Sequence, residues 1–369
     1  MKVLRVLYVL RPSGVEANLR ASADRWRAHG IDIDILATGP TLGPFAPALR
    51  TVGYRLEHLP QEPVARFAPD YLTFLRRNRY DLVHVQAEQG NIATVGLARL
   101  AAPRVIRSCH NTFNFTGALR LERTFQRRML RALGVVHVSV SPSVARSEWL
   151  HFRNPTIRVP NAFDDRRFRP PSPGERQAAR AAIDVSADDF VVLSVGNCSR
   201  IKNHEAVLNA LPALTASGER VVYLHVGAEE DGGPERQMAE RLGVSAHVRF
   251  LGQRDDVDRL LHAADCYVMP SLQEGLSNAA LEALASGVPV ALADVPGLRD
   301  LRDQVPGIGW MTPDSAGVQH AVAAVRSRSP EERTRATRET VERTRAQFAM
   351  DNHVRRYVEL YEGKLAPAR

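Results

Sequence analysis

The sequence predicts an α/β protein of two domains, each built on a parallel sheet. Three observations carry this expectation. The 369 residues suit about two domains of common size. Short β-branched runs alternate with longer helical patterns along most of the chain, as right-handed βαβ units require. The alternation breaks once, at RPPSPGERQ from Arg169 to Gln177, where three prolines and a glycine read as a linker, and then resumes. The expected division is residues 1–168, a linker at 169–184, residues 185–345, and a last helix over about 346–366 that returns to the first domain.

In chain order, KVLRVLYVL, IDIDILATG, DLVHVQAE, RVIRSCHNT, VHVSVSPS and TIRVPNAF read as the strands of the first domain, most of them ending in Gly, Ser, Pro or Asn. ANLRASADRWRAHG after the first strand reads as an amphipathic helix stopped by Gly30. FVVLSVGN, RVVYLHVG, HVRFLG, DCYVMPS and VPVALAD read as five buried strands of the second domain. In such sheets ligands bind beyond the carboxyl ends of the strands. With two domains face to face, the site is expected in the cleft between them.

Composition narrows the class. The chain is 44% hydrophobic and 24% charged with a net charge of +8, an ordinary folded protein whose basic excess suits an anionic ligand or surface. No basic and aromatic run resembles a nucleic-acid module. Cys109, Cys198 and Cys266 lie far apart, so neither a zinc knuckle nor a disulfide framework is expected. Arg5 interrupts the first apolar run and no small-residue cleavage site follows it, which favours a buried strand over a signal peptide. No stretch reaches the roughly 18 to 20 apolar residues of a membrane span. A cytoplasmic protein is expected, with peripheral contact at the anionic inner face of the membrane as the alternative.

The segment SLQEGLSNAALEALASGVPV places Glu274 and Glu282 eight positions apart. Helical character begins near Asn278 and stops at Gly287, so the amides of Gly275, Leu276, Ser277, Asn278 and Ala279 face out of a helix start suited to a diphosphate. Glu282, one turn in, is placed to accept from a ribose diol, and Glu274, before the turn, to face a sugar. On spacing alone, a surface loop followed by a solvated helix fits equally.

The motif resembles the E-x7-E signature of the retaining nucleotide-sugar glycosyltransferases of family four, whose fold is GT-B, two Rossmann-like domains. RVPNAFDDRRF, SVGNCSRIKNHEAVLNAL, FLGQRDDVDRLLHAADCYVMPS, HVSVSPSVA and SGVEANL are similar to further segments of that family in the same order. The resemblance implies Glu274 near the donor sugar, Glu282 on the ribose and Lys202 on the diphosphate. Asn197 stands where the family usually has arginine, and Arg200 is the candidate substitute. His110 resembles the family's histidine beside sugar and acceptor. Gly14 lies at a turn that commonly carries two glycines, the first replaced here by Ser13. Arg254 resembles a residue near base and diphosphate, although a surface salt bridge fits equally. Glu88, Gln89, Asn111, Thr112 and Phe113, at strand ends, are the acceptor-side candidates.

The implied activity is transfer of a sugar from a nucleotide diphosphate sugar, UDP favoured over GDP, to an acceptor hydroxyl with retained anomeric configuration. No carboxylate fits the role of covalent nucleophile, which favours same-face attack through an oxocarbenium-like transition state. No Asp-x-Asp motif appears near the expected site, so no metal and no cofactor beyond the nucleotide-sugar co-substrate is expected. Glycan, cell-envelope or natural-product synthesis is the setting implied. LRLERTFQRRMLRAL interleaves five arginines with apolar residues, a pattern shared by helices on anionic membranes and by helices with one buried face. Competing readings are a silent sugar-nucleotide-binding scaffold, kept open by Asn197, and an epimerase or phosphorylase on the same fold. A dehydrogenase lacks its G-x-G-x-x-G turn.

Overall fold

The structure is a computed structural model that describes residues 1–86, 91–112, 115–216 and 220–366. It divides into two units, Met1–Ala162 with Met350–Arg369, and Phe163–Ala349.

The first unit holds seven strands: β1 Lys2–Leu7, β2 Asp32–Ala37, β3 Arg55–His58, β4 Leu82–Val85, β5 Arg104–Cys109, β6 Val136–Ser139 and β7 Ile157–Arg158. Their order is β3-β2-β1-β4-β5-β6-β7, every pair parallel. Central strands are buried on both faces, which is why KVLRVL and LVHV read as nearly unbroken apolar runs. β3, RLEH, is an edge strand with both ends exposed, so it lacks that apolar signature.

Helix Gly14–Ala28 packs on this sheet with helix Met350–Tyr361. The seam is aromatic: Trp26 stacks on Tyr361 at 5.8 Å and meets Tyr357 at 6.3 Å. Instead of one helix over 346–366, helix Pro330–Phe348 stops at Ala349, whose backbone is extended, and Met350–Tyr361 starts anew.

The second unit holds β8 Phe190–Val195, β9 Val221–Val226, β10 Val248–Phe250, β11 Cys266–Met269, β12 Val290–Ala293 and β13 Gly309–Met311, ordered β10-β9-β8-β11-β12-β13 and all parallel. Three-residue β13 is a further edge strand that the sequence pattern does not announce.

The expected linker at 169–184 is corrected. It belongs to the second unit and carries helix Pro173–Ala182. Ser172 and Glu175 form a reciprocal capping box with Pro173 at the first helical position, so the proline that suggested a break opens a helix. Arg176 and Arg180 fasten it to Asp265, at 2.6 and 3.1 Å.

In each sheet the order reverses once, between β1 and β4 and between β8 and β11. These are the switch points where diverging loops leave a crevice for ligands. The loops after β8 and β11 contain Lys202 and Glu274.

Candidate active site

The second unit builds its site around helix Asn278–Ser286. Ser277 is the N-cap, its Oγ accepting from the Ala280 amide at 3.3 Å. Gly287, at φ 76°, ends the helix. Leu276 and Ser277 are buried, which fixes the approach to the helix. Glu282 lies half-buried inside its second turn.

Glu274 precedes this turn and joins Lys202: Nζ donates to Glu274 Oε1 at 2.7 Å. The pair is well shielded, the side chains being 28% and 10% exposed. Two residues whose roles the sequence assigned separately are thus in direct contact across the switch point of one sheet. An ammonium has three donors, so Lys202 can hold Glu274 and a phosphate oxygen together. Burial pushes the Tyr267 hydroxyl well above its usual range, with the Glu274 and then the Glu282 carboxylate adding to the effect. Both carboxylates therefore lie close enough to bias one buried side chain of β11.

The loop from β8 to Lys202 is held by groups that motif spacing does not reveal. The Lys202 stem lies 3.4 Å from where a Cβ on Gly196 would stand. His204 and His225 both meet the Gly196 carbonyl through Nε2, at 3.2 and 3.0 Å. Burial lowers the His204 pKa to about 3 and lowers that of His225 too, so these are neutral N–H donors. Asn203, in the left-handed region at φ 56°, donates from Nδ2 to the carbonyls of Pro270 and Pro313 at 3.0 and 2.8 Å. That side chain ties the β8 loop to the end of β11.

Gly297 was not a candidate and proves structurally decisive. At φ 88° a Cβ there would lie on the Glu274 carbonyl oxygen and 2.6 Å from that of Gly275. The loop after β12 thus supports the backbone that aims Glu274. Only a glycine permits both the conformation and the approach.

The remaining donor-side candidates are placed as follows. Asn197 uses its Oδ1 to accept from the Ala228 amide at 2.9 Å, bracing the loop after β9. Arg200 is exposed. Arg254 makes a bidentate pair with Asp256 at 2.8 and 2.7 Å, the surface salt bridge that the sequence left open. In the first unit, Gly14 opens helix Gly14–Ala28, and Ser13, standing for the family's first glycine, is its N-cap, Oγ accepting from Val15 at 3.2 Å. That serine also donates to Glu16, a carboxyl raised by burial.

His110 follows β5. Its Nε2 is buried without a protein partner, and burial, reinforced by the Arg107 and Arg5 charges, lowers its pKa to about 4. The imidazole is neutral at pH 7 and has a ring nitrogen left for a ligand. Behind it, His84 bridges Tyr361 at 2.8 Å and Ser108 at 2.7 Å. Asn111 is exposed and Thr112 half-buried. Glu88, Gln89 and Phe113 lie outside the described residues. Among the described residues no cluster of three or more His, Cys, Asp or Glu is arranged to hold a metal ion.

Two Rossmann-like sheets with these loops at their switch points define an α/β protein of the GT-B class. Residues 13–162 match the glycosyl transferase 4-like domain, and residues 189–327 match the family of glycosyl transferases group 1. The chain belongs to the group 1 glycosyltransferase family. It is similar to the D-inositol 3-phosphate glycosyltransferase of Geodermatophilus obscurus, 35% identical over 47% of this chain and 40% of that protein. The enzyme of the same name from Corynebacterium urealyticum is 27% identical over 78% of this chain and 76% of that protein. The chain spans less than half the length of the relatives it matches at 35% identity. Among solved structures, Anabaena HepE in complex with UDP and glucose shares the fold at a TM-score of 0.82, with 20% identity over 98% of this chain and 100% of that one.

Proposed function

We propose that this chain transfers a sugar from a nucleotide diphosphate sugar, with UDP as the favoured nucleotide, to an acceptor hydroxyl with retention of anomeric configuration. The observation that carries the reading is the shielded Lys202–Glu274 pair between the loops after β8 and β11, directly before the start of helix Asn278–Ser286. The UDP and glucose bound by Anabaena HepE support the choice of nucleotide.

In this reading the diphosphate lies at the helix start, where amides and dipole favour negative charge. Lys202 offsets the charge that grows on the leaving phosphate as the glycosidic bond breaks, a preorganised electrostatic role. Glu274, anchored through Oε1, presents Oε2 to a sugar hydroxyl and favours positive character at the anomeric carbon. Glu282 accepts from the ribose diol. The neutral His110 hydrogen-bonds a sugar hydroxyl without adding a charge that would oppose an oxocarbenium-like centre. The acceptor attacks on the face that the phosphate leaves, and the departing oxygen takes its proton. Lys202 and the helix start supply the electrostatics that a metal supplies in other enzymes, so the reaction is proposed to need none.

A thermal-shift panel of UDP, GDP, ADP, TDP and their glucose conjugates on wild type and Glu282→Ala tests the donor site. Ligands that bind the folded state raise the midpoint. One nucleotide should stabilise the wild type selectively and lose that effect in the variant. A wild type that responds to no nucleotide overturns the proposal.

A further inference from the structure

Strand β8 leaves its sheet by an exchange of hydrogen-bond partners. The Gly196 and Cys198 amides donate to the carbonyls of Val226 and Ala228, each at 2.8 Å, so both are turned toward β9. In a regular parallel ladder the Ala228 amide would then donate to the Gly196 carbonyl. Here it donates to the Asn197 side-chain oxygen instead, at 2.9 Å. The Gly196 carbonyl receives His204 and His225, whose Nε2 atoms lie 3.2 and 3.0 Å away, with the two rings edge to face at 4.4 Å. A carbonyl oxygen only accepts, and it has two lone pairs, so both rings carry their proton on Nε2 and both lone pairs are used. The Tyr223 hydroxyl, 3.3 Å from His204 Nδ1, donates to that bare nitrogen. The Cys198 thiol, 3.6 Å from His225 Nε2, is a weaker acceptor and does not compete.

This exchange fixes the direction of one peptide plane. In a trans peptide the N–H points opposite to the C=O. With the Gly196 carbonyl held on the β9 side, the Asn197 amide is turned to the β11 side, since β8 lies between those two strands. There the loop after β11 diverges and presents Glu274, the partner of Lys202. No acceptor among the described residues meets the Asn197 amide, and the residue is exposed. Gly227 closes the plane from behind, because a Cβ there would lie on the Gly196 carbonyl. An unpaired, rigidly aimed amide at a switch point, beside a lysine, is suited to a phosphate oxygen.

We infer that His204 and His225 are positioning residues for the donor: acting through the Gly196 carbonyl, they aim the Asn197 amide at the diphosphate, where it stands in for the missing arginine. This rests on the donor-site reading above and adds to it two side chains that touch no substrate. Titrations with UDP, GDP, ADP and TDP, each beside its nucleoside and followed by NMR, test it on wild type, His225→Leu and His225→Gln. In wild type the bound diphosphate should move the Asn197 amide proton downfield and its nucleoside should not, and imidazole 15N spectra should show both rings protonated at Nε2. His225→Leu should lose about three- to tenfold in affinity for the diphosphate, as one of two donors to the carbonyl is removed, with nucleoside affinity unchanged. His225→Gln, which keeps a side-chain N–H donor, should restore most of the loss. A ring protonated at Nδ1, an Asn197 amide that ignores a bound diphosphate, or a His225→Leu protein that loses nothing or loses diphosphate and nucleoside alike would each overturn the inference and leave the donor-site reading standing. A wild type that binds none of the four diphosphates would overturn both. The two wild-type readouts decide the question even if a variant fails to fold.

Discussion

Replacing Lys202 by methionine removes one charge and keeps the aliphatic stem over Gly196, so the consequence is electrostatic. Glu274, with its side chain 10% exposed, loses the cation 2.7 Å away. Removing one partner of a fully buried pair costs about 3 to 5 kcal/mol. Because Lys202 is 28% exposed, solvent relieves part of this, and about 1 to 3 kcal/mol is expected. For a unit of this size the midpoint falls by roughly 2 to 10 °C. If Lys202 also holds the diphosphate, the variant loses a charge-assisted hydrogen bond, and nucleotide affinity falls about ten- to a hundredfold. The two effects separate in the double variant Lys202→Met with Glu274→Gln, which recovers most of the lost midpoint but none of the lost affinity. Calorimetric titration with the nucleotide that stabilises wild type reads affinity, and thermal unfolding reads the rest. If Lys202→Met binds nucleotide as tightly as wild type, the ion pair is structural and the leaving-group role fails.

Gly297→Ala should destabilise by more than about 1 kcal/mol, since φ 88° is strained for alanine and the methyl lies on the Glu274 carbonyl; it should also weaken nucleotide binding by titration, whereas Gly243→Ala, at a φ 68° position with open space, should lower only the midpoint. Burial lowers the pKa of His110 and His353 to about 4 and of His137 and His204 to about 3. The unfolded chain takes up these protons near pH 6.5, so stability is unaffected above that value and falls as pH drops from about 6.5 toward 4, by up to about 1.4 kcal/mol per pH unit for each histidine. Thermal midpoints at pH 7, 6 and 5 check this, and a flat profile refutes it. EDTA should leave nucleotide binding and turnover unchanged; loss of turnover restored by a divalent ion would end the metal-independent proposal.

What was legible in the sequence follows physical lines. Buried parallel strands announce themselves as apolar runs, so the centre of each sheet could be read directly. Edge strands β3 and β13 could not, because half their surface faces outward and their composition is ordinary. Prolines misled at Arg169–Gln177, although Ser172 followed three residues later by Glu175 is a helix-start signal. In the site, Glu274, Glu282 and Lys202 were picked out by the resemblance of their segments to the family, since spacing alone fitted a surface loop equally. Gly297, Asn203 and His225 were not, because each acts on a loop distant in sequence, and nothing local marks a contact of that kind.

The division of the chain also bears on how it is made. The second unit is an insertion whose ends meet: Phe163 pairs with Ala349 in a single parallel bridge, and the Phe163 amide donates to the Phe348 carbonyl at 3.3 Å. Every residue it needs has been synthesised by Ala349. The first unit, begun earlier, waits longer, for its Trp26 seam is completed only by Tyr357 and Tyr361, which follow the whole inserted unit. Translation order and completion order are therefore reversed, and the nascent first unit carries Trp26 without its aromatic partners while the inserted unit folds. A stop codon after Ala349 would spare the inserted unit and leave its host without the last helix of its core.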